Sequence, residues 1–252
     1  YVTGFDNELM KKAPPTEYGE VTEEQLWDNL KYFLEKVIPV AEEAGVKLAM
    51  HPDDPPLSPL RGMGRIMRSV ENYQRLVDLI PSPVNGICLC QGNFALMTDQ
   101  LPDVIRHFHD KIHFVHFRDV RGTPEKFVET FHDDGQTDMY ECMKAYRDIG
   151  FEGVLRPDHV PTMEGDDNDH PGYSSIGRLF AIGFPLAADS DTSPVRIPGV
   201  DAQLAQLRPT NTVLLDRLTR EKCGPAGPGG QVEIRNHAAR VVGHFGMGVG
   251  FL

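Results

Sequence analysis

Four side chains able to hold a divalent metal stand at the ends of four short apolar runs. Val46 to Met50 leads into His51, Gly86 to Leu89 into Cys90, Ile112 to Val115 into His116, and Gly153 to Pro157 into Asp158. Imidazole, thiolate and carboxylate are the groups with which proteins ligate transition metals. Each of the four, taken alone, reads as readily as a polar residue where a strand gives way to a loop. The repetition favours one shared site. A cation held there would act as a Lewis acid, stabilising negative charge as it develops on a nearby oxygen.

Donors so far apart in sequence can meet only if the elements that carry them deliver their carboxyl ends to one place. The runs are short, rich in Val, Ile, Leu or Phe, and preceded by Gly or a turn residue, the pattern of buried strands. By subtraction, His51, Cys90, His116 and Asp158 are separated by 39, 26 and 42 residues. Hairpins need far less chain, whereas a strand, a helix and their loops fill such intervals. Helical patterns near Ser69–Leu79, Asp103–Phe108 and Met139–Ile149 occupy the gaps. Alternating strands and helices predict an α/β fold with a parallel sheet. In a parallel barrel the carboxyl ends of the strands share one face, so all four donors would converge. The spacing is too irregular for a solenoid repeat.

Ahead of the first strand, residues 1–20, with Pro14, Pro15 and Gly19, read as a loop. Thr22 and Gln25 then form a capping-box pair before a helical stripe of Leu26, Leu30, Phe33, Leu34 and Val37. Pro39 is expected to kink or interrupt this helix and Gly45 to end it. Cys88 and Cys90, two apart in one strand, share a face; only Cys90 reaches the strand end, which leaves Cys88 as an apolar filler.

The composition bounds the function. A chain of 252 residues can bury one barrel-sized core. Its net charge of −12 argues against a nucleic-acid partner, whose phosphates need a basic surface. No apolar run approaches the roughly 20 residues that span a bilayer, so no membrane association is expected. Four scattered cysteines do not make the dense framework of small secreted domains and suggest a reducing, cytoplasmic setting. The chain starts at Tyr1 rather than Met, as a fragment or processed chain would. Residues 1–183 read as the metal-binding domain. Residues 184–252 differ: they carry 7 Lys or Arg against 6 Asp or Glu and a breaker cluster from Cys223 to Gly230. One amphipathic helix near Ala202–Leu218 and little other order are expected there.

Five stretches together resemble the mannonate dehydratase family. They are His51-Pro52-Asp53-Asp54-Pro55-Pro56, Asn85 to Gly92, Phe114-Val115-His116-Phe117-Arg118, Arg156-Pro157-Asp158-His159 and Pro171 to Arg178. They run in the family's order over roughly residues 20–183, and their combination is far more specific than any one alone. The resemblance implies a xylose-isomerase-like, TIM-type (β/α)8 barrel. With four recognisable strands, that barrel is expected to be incomplete in this chain, its N-terminal strands missing. The implied activity is a metal-dependent lyase that turns D-mannonate into 2-dehydro-3-deoxy-D-gluconate and water in glucuronate catabolism. Residue by residue, His51, Cys90, His116 and Asp158 match the metal ligands and His159 and Tyr173 the proton-transfer pair. The implied metal is Mn²⁺. By softness alone, a Cys/His/His/Asp set suits Zn²⁺ or Fe²⁺ at least as well.

Such chemistry needs such residues. Taking the C2 proton from an aldonate adds charge beside a carboxylate that is already anionic, which a Lewis acid offsets. The C3 hydroxyl must leave as water and needs a general acid; a His and a Tyr suit that proton traffic. His159 directly follows Asp158, so it projects to a different side of the strand end; outside the Arg-Pro-Asp-His context it would be an ordinary loop histidine. Tyr173 follows the Pro171-Gly172 turn signal, which either aims the ring over the barrel mouth or leaves it an exposed loop aromatic. Arg118 either grips the substrate carboxylate or forms a salt bridge with Asp119 or a neighbouring loop. His132, within Thr130-Phe131-His132-Asp133-Asp134-Gly135, sits in a βα-type loop where it could touch substrate hydroxyls. His107, His109, His113, His170, His237 and His244 read as surface or packing residues. The partner expected is a small sugar acid, with self-association possible. Two other readings stay open: a divalent-metal sugar isomerase on the same barrel, which would not release water, and a truncated, noncatalytic metal-binding homologue.

Overall fold

The computed structural model describes residues 2–166, 169–186, 212–216, 228–234 and 237–245. The chain divides into two compact units, Tyr1–Phe184 and Pro185–Leu252. In chain order the first unit holds β1 (Gly4–Asp6), α1 (Asn7–Met10), α2 (Glu23–Ala44), β2 (Leu48–Met50), α3 (Val70–Leu79), β3 (Asn85–Cys90), α4 (Gln91–Ala95), α5 (Leu101–Phe108), β4 (Ile112–Phe117), β5 (Asp119–Thr123), β6 (Lys126–Thr130), α6 (Met139–Asp148) and β7 (Val154–Pro157), and α7 (Ser175–Leu186) closes it.

Its framework is a parallel sheet in the order β2-β3-β4-β7, with helices in the crossovers. The register decides where the donors point. Cys90 pairs with His116, so the two stand side by side on one face. Met50 pairs with Ile87, which puts the following residue, His51, level with Cys88, on the face Cys90 shares. Phe117 pairs with Pro157, which sets Asp158 level with Arg118, on the face of His116. All four strand-end residues therefore lie on the same side at the carboxyl end. β3 is buried along its whole length, while the edge strands β2 and β7 are only partly covered. Among the described residues the sheet is open, with β2 and β7 as its edges and no closed barrel.

The local signals explain most of the helices. Thr22 Oγ1 accepts from the Gln25 amide at 3.2 Å and Gln25 Oε1 accepts from the Thr22 amide at 2.8 Å, a complete capping box for α2. Gly45 ends the helix at φ 66°, a left-handed conformation that glycine adopts without strain. Pro39 does not interrupt α2, which continues for a turn beyond it, held by the buried residues Trp27, Leu34, Ile38 and Ala41. That buried stripe is rotated from the one expected: Leu34 belongs to both, but Phe33 faces outward.

Two elements depart from expectation. Residues 1–20 hold β1 and α1, and β1 adds to a β5–β6 hairpin as an antiparallel sheet of order β1-β6-β5. This hairpin fills the stretch between β4 and α6 that reads as a simple loop. In the second unit, β8 (Thr212–Asp216), β9 (Gln231–Ile234) and β10 (His237–Phe245) form a sheet of order β8-β10-β9. The helix expected near 202–218 is a strand over Thr212–Asp216, where consecutive apolar residues suit β pairing with β10; the rest of that range lies outside the described residues. No helix among the described residues is long and apolar enough to cross a membrane.

Candidate metal centre and proton-transfer pair

His51 projects from the end of β2, Cys90 and His116 from β3 and β4, and one ligand atom from each lies within 4.8 Å of the other two. The His51 ring is oriented by its neighbour. Its Nδ1 lies 2.7 Å from the Pro52 carbonyl oxygen, which can only accept, so Nδ1 carries the proton and Nε2 keeps its lone pair. That Nε2 is 3.2 Å from His116 Nδ1. Two imidazole nitrogens bound to one ion at about 2.0–2.1 Å would stand roughly 3.0–3.4 Å apart, so the pair already has the spacing of co-ligands. Asp158 Oδ2 approaches His116 Nδ1 to 3.5 Å. The group whose ligand atoms meet is His51, Cys90 and His116; Asp158, expected as the fourth donor, borders His116 but is not part of that group. Cys90 and Asp158 are buried and His51 is exposed, so the group lies between the interior and solvent. The donor set fits a divalent cation.

Behind the sulfur sits Arg118, whose side chain is 1% exposed. Its Nε donates to Cys90 Sγ at 3.1 Å, and its Nη2 donates to Asp54 Oδ2 at 2.8 Å and Asn93 Oδ1 at 2.7 Å. Its Nη1 pairs closely with Glu129 Oε1. Burial alone would lower the Arg118 pKa, but Cys90, Glu129 and Asp54 outweigh it and hold the guanidinium firmly charged. Gly92 makes room for this fork: a Cβ there would meet Nη1 at 2.9 Å. The salt bridges of Arg118 thus go to Glu129, to Asp54 in a neighbouring loop and, more distantly at 3.6 Å, to Asp158, none to Asp119, and every nitrogen of the fork has a protein partner.

Glu129 links this cluster to the His159–Tyr173 pair. Its Oε1 also lies 3.3 Å from His159 Nδ1, while His159 Nε2 is 2.7 Å from the Tyr173 hydroxyl. With the Nδ1 proton directed at a carboxylate, Nε2 accepts from Tyr173. The rings meet edge to face with centroids 4.9 Å apart. His159 Nε2 is 3.9 Å from Asp158 Oδ2, so the pair borders the metal donors. The Pro171-Gly172 turn, with Gly172 at φ 85°, brings Tyr173 back over the strand end. Asp166 fixes the far side of this loop by accepting from the Ile176 and Gly177 amides at 2.8 and 3.1 Å. Burial, then the Asp158 carboxylate, push the Tyr173 phenol above its ordinary pKa.

Not every expected site residue faces this centre. His132 is 1% exposed, its Nε2 lies 2.7 Å from the Phe117 carbonyl oxygen, its ring stacks on Phe117, and burial lowers its pKa. His132 does lie in the loop between β6 and α6, but it packs into the interior there rather than facing an open mouth. His107 contacts Gln74, His109 contacts Asp110 and His113 contacts the Leu48 carbonyl, all away from the centre. The side chains of His237 and His244, and the whole of Cys223, lie outside the described residues. Sequence reasoning missed Glu129, Asp54 and Asn93. Asp54 stands in the His51-Pro52-Asp53-Asp54 motif, and Glu129 lies at an inward position two residues after buried Phe127, the only signals that could have found them.

A parallel α/β sheet whose strand ends bring two imidazoles and a thiolate close enough to hold a metal ion, beside a hydrogen-bonded His-Tyr pair, defines an α/β protein with a candidate metal site. The family model described as D-mannonate dehydratase (UxuA) matches residues 3–187, and the chain belongs to that family. The mannonate dehydratase of Thermotoga neapolitana is 46% identical over 175 residues, covering 67% of this chain and 48% of that protein. Mannonate dehydratase 2 of Halalkalibacterium halodurans is 42% identical over 188 residues, covering 72% of this chain and 54% of that protein. The crystal structure of mannonate dehydratase from Streptococcus suis serotype 2 superposes with a TM-score of 0.62 at 38% identity, over 66% of this chain and 49% of that one. The chain spans about half the length of the curated relatives it matches.

Proposed function

We propose that this chain carries the metal-binding and proton-transferring part of a hydro-lyase that dehydrates D-mannonate to 2-dehydro-3-deoxy-D-gluconate, a step of glucuronate catabolism. The observation that carries the reading is the His159–Tyr173 pair, joined at 2.7 Å and 3.9 Å from Asp158, which in turn borders the cluster of His51, Cys90 and His116. These four residues are assigned as the ligands, with Mn²⁺ as the ion on the strength of the family likeness and Fe²⁺ as its alternative. When bound, the ion would supply Lewis-acid stabilisation of the charge that builds on the substrate carboxylate.

The chain's own residues supply the proton steps. His159, with Nδ1 directed at Glu129, presents Nε2 as the base for the C2 proton. Tyr173, whose raised pKa keeps it protonated near neutrality, gives a proton to the departing C3 hydroxyl. Because Arg118 is sealed in its own network, Arg156 is the better candidate for the substrate carboxylate: it is 40% exposed and only 3.6 Å from Asp158 Oδ1. The direct carboxylate contact expected of Arg118 and the hydroxyl contact expected of His132 would both require these buried side chains to leave their present partners.

The open sheet is read as part of a TIM-type barrel, with residues 1–183 as the catalytic domain and 184–252 as a separate segment. A small sugar acid in a cytoplasmic setting is the proposed partner, without nucleic acid or membrane. Incubation with D-mannonate and Mn²⁺ tests the reading. A 2-keto-3-deoxy sugar acid is expected; ketose formation without loss of water would favour the isomerase, and metal retention without any turnover the noncatalytic homologue.

A further inference from the structure

A thiolate is a soft ligand, yet the ion assigned to this centre is a hard one, and Arg118 can reconcile the two. Arg118 Nε–H is aimed at Cys90 Sγ from 3.1 Å. The aim is fixed, because the other two nitrogens of the fork are tied to Glu129, Asp54 and Asn93 and the side chain is almost fully buried. The sulfur itself is sealed from solvent, so no water can stand in for that donor. An N–H hydrogen bond draws electron density from a thiolate lone pair and makes the sulfur a weaker, harder donor, as hydrogen bonds to ligating sulfurs do in other metal centres.

We infer that Arg118 sets the metal preference of this centre through its hydrogen bond to the Cys90 sulfur, biasing a thiolate-containing site away from Zn²⁺ and toward Mn²⁺. This rests on the reading that His51, Cys90 and His116 hold a divalent cation. Arg118 is a positioning residue: it acts on the ion only through Cys90. Asp158 Oδ2, 3.6 Å from the same Nε, is too distant to take the hydrogen bond from the sulfur.

The test uses the whole chain, stripped of metal by a chelator and titrated with Mn²⁺, Zn²⁺ and Co²⁺. Arg118→Lys keeps the charge, but a single ammonium cannot both hold Glu129 and donate at the position of Nε. The ratio of Zn²⁺ to Mn²⁺ affinity is expected to rise about tenfold or more in this variant, the scale on which outer-shell partners act. The sulfur-to-cobalt charge-transfer band should move to longer wavelength, since a more electron-rich sulfur gives up its electron more easily. In a Cys90→Ser background the same Arg118→Lys change should leave the ratio within about twofold. An unchanged ratio with Cys90 present, or an equal shift in the Cys90→Ser background, would overturn the inference. If Arg118→Lys does not fold, Arg118→Gln with Glu129→Gln removes both buried charges together and carries the same expectation. Wild-type protein that bound none of the three ions would instead overturn the metal reading itself, and this inference with it.

Discussion

At the scale of single residues, the centre divides into donors that can meet an ion and neighbours that hold those donors. His159 belongs to neither set, because its contacts run to Glu129 and Tyr173. His159→Asn should therefore reduce elimination by at least about 100-fold, the scale of a lost general base, while the protein still takes up metal. Elemental analysis beside a turnover assay reads both; metal lost along with activity would move His159 into the ligand set. The buried thiols give a second expectation. Burial pushes Cys88 and Cys142 up to about 12 from an ordinary 9.0. The folded protein thus keeps protons that the unfolded chain gives up. This contribution to stability is complete below pH 9.0 and is lost as pH rises toward 12. Denaturant midpoints should fall between about pH 8 and about pH 10, and fall less in a Cys88→Ala, Cys142→Ala variant. The four donors are legible in the sequence because each ends a run whose apolar composition announces a strand. Glu129, Asp54 and Asn93 are not, since a charged or amide side chain in a short polar stretch looks solvated until its long-range partner is known.

At the scale of elements, the capping box and the left-handed Gly45 show local chemistry dictating local structure. Removing the Thr22 hydroxyl leaves the Gln25 amide without its acceptor. Thr22→Ala should cost about 1 kcal/mol, read as a lower thermal midpoint. No change would mean that tertiary packing alone fixes the start of α2. The helices were readable because caps, glycines and 3.6-residue periodicity agree. The β5–β6 hairpin was not: its buried positions mix Val120 and Phe127 with the polar Asp119, Glu129 and Thr130, while apolar Val128 faces outward, so no clean apolar run marks it. Pro39 taught the converse lesson, since packing along Trp27, Leu34, Ile38 and Ala41 carries α2 through a residue that disfavours helix. The hairpin matters for function, because it delivers Glu129 to the space between Arg118 and His159.

At the scale of the molecule, parity along the strands does most of the positioning. Four parallel strands, in register over their carboxyl ends after a one-residue shift between Ile87 and Cys88, put every second residue there on one face, and the donors, Arg118 and the His159–Tyr173 pair gather at the carboxyl end of that sheet. A chain of contacts from Cys90 through Arg118, Glu129 and His159 to Tyr173, buried up to Glu129 and opening to solvent at Tyr173, would join the proposed metal ligation to the proposed proton transfer in one preorganised unit. The proposed chemistry requires a cation where those donors meet. Crystals grown with Mn²⁺ and measured at the manganese absorption edge would show it directly. One anomalous peak within bonding distance of His51 Nε2, Cys90 Sγ and His116 Nδ1 is the predicted result, and a peak elsewhere, or none at full Mn²⁺ saturation, would contradict it.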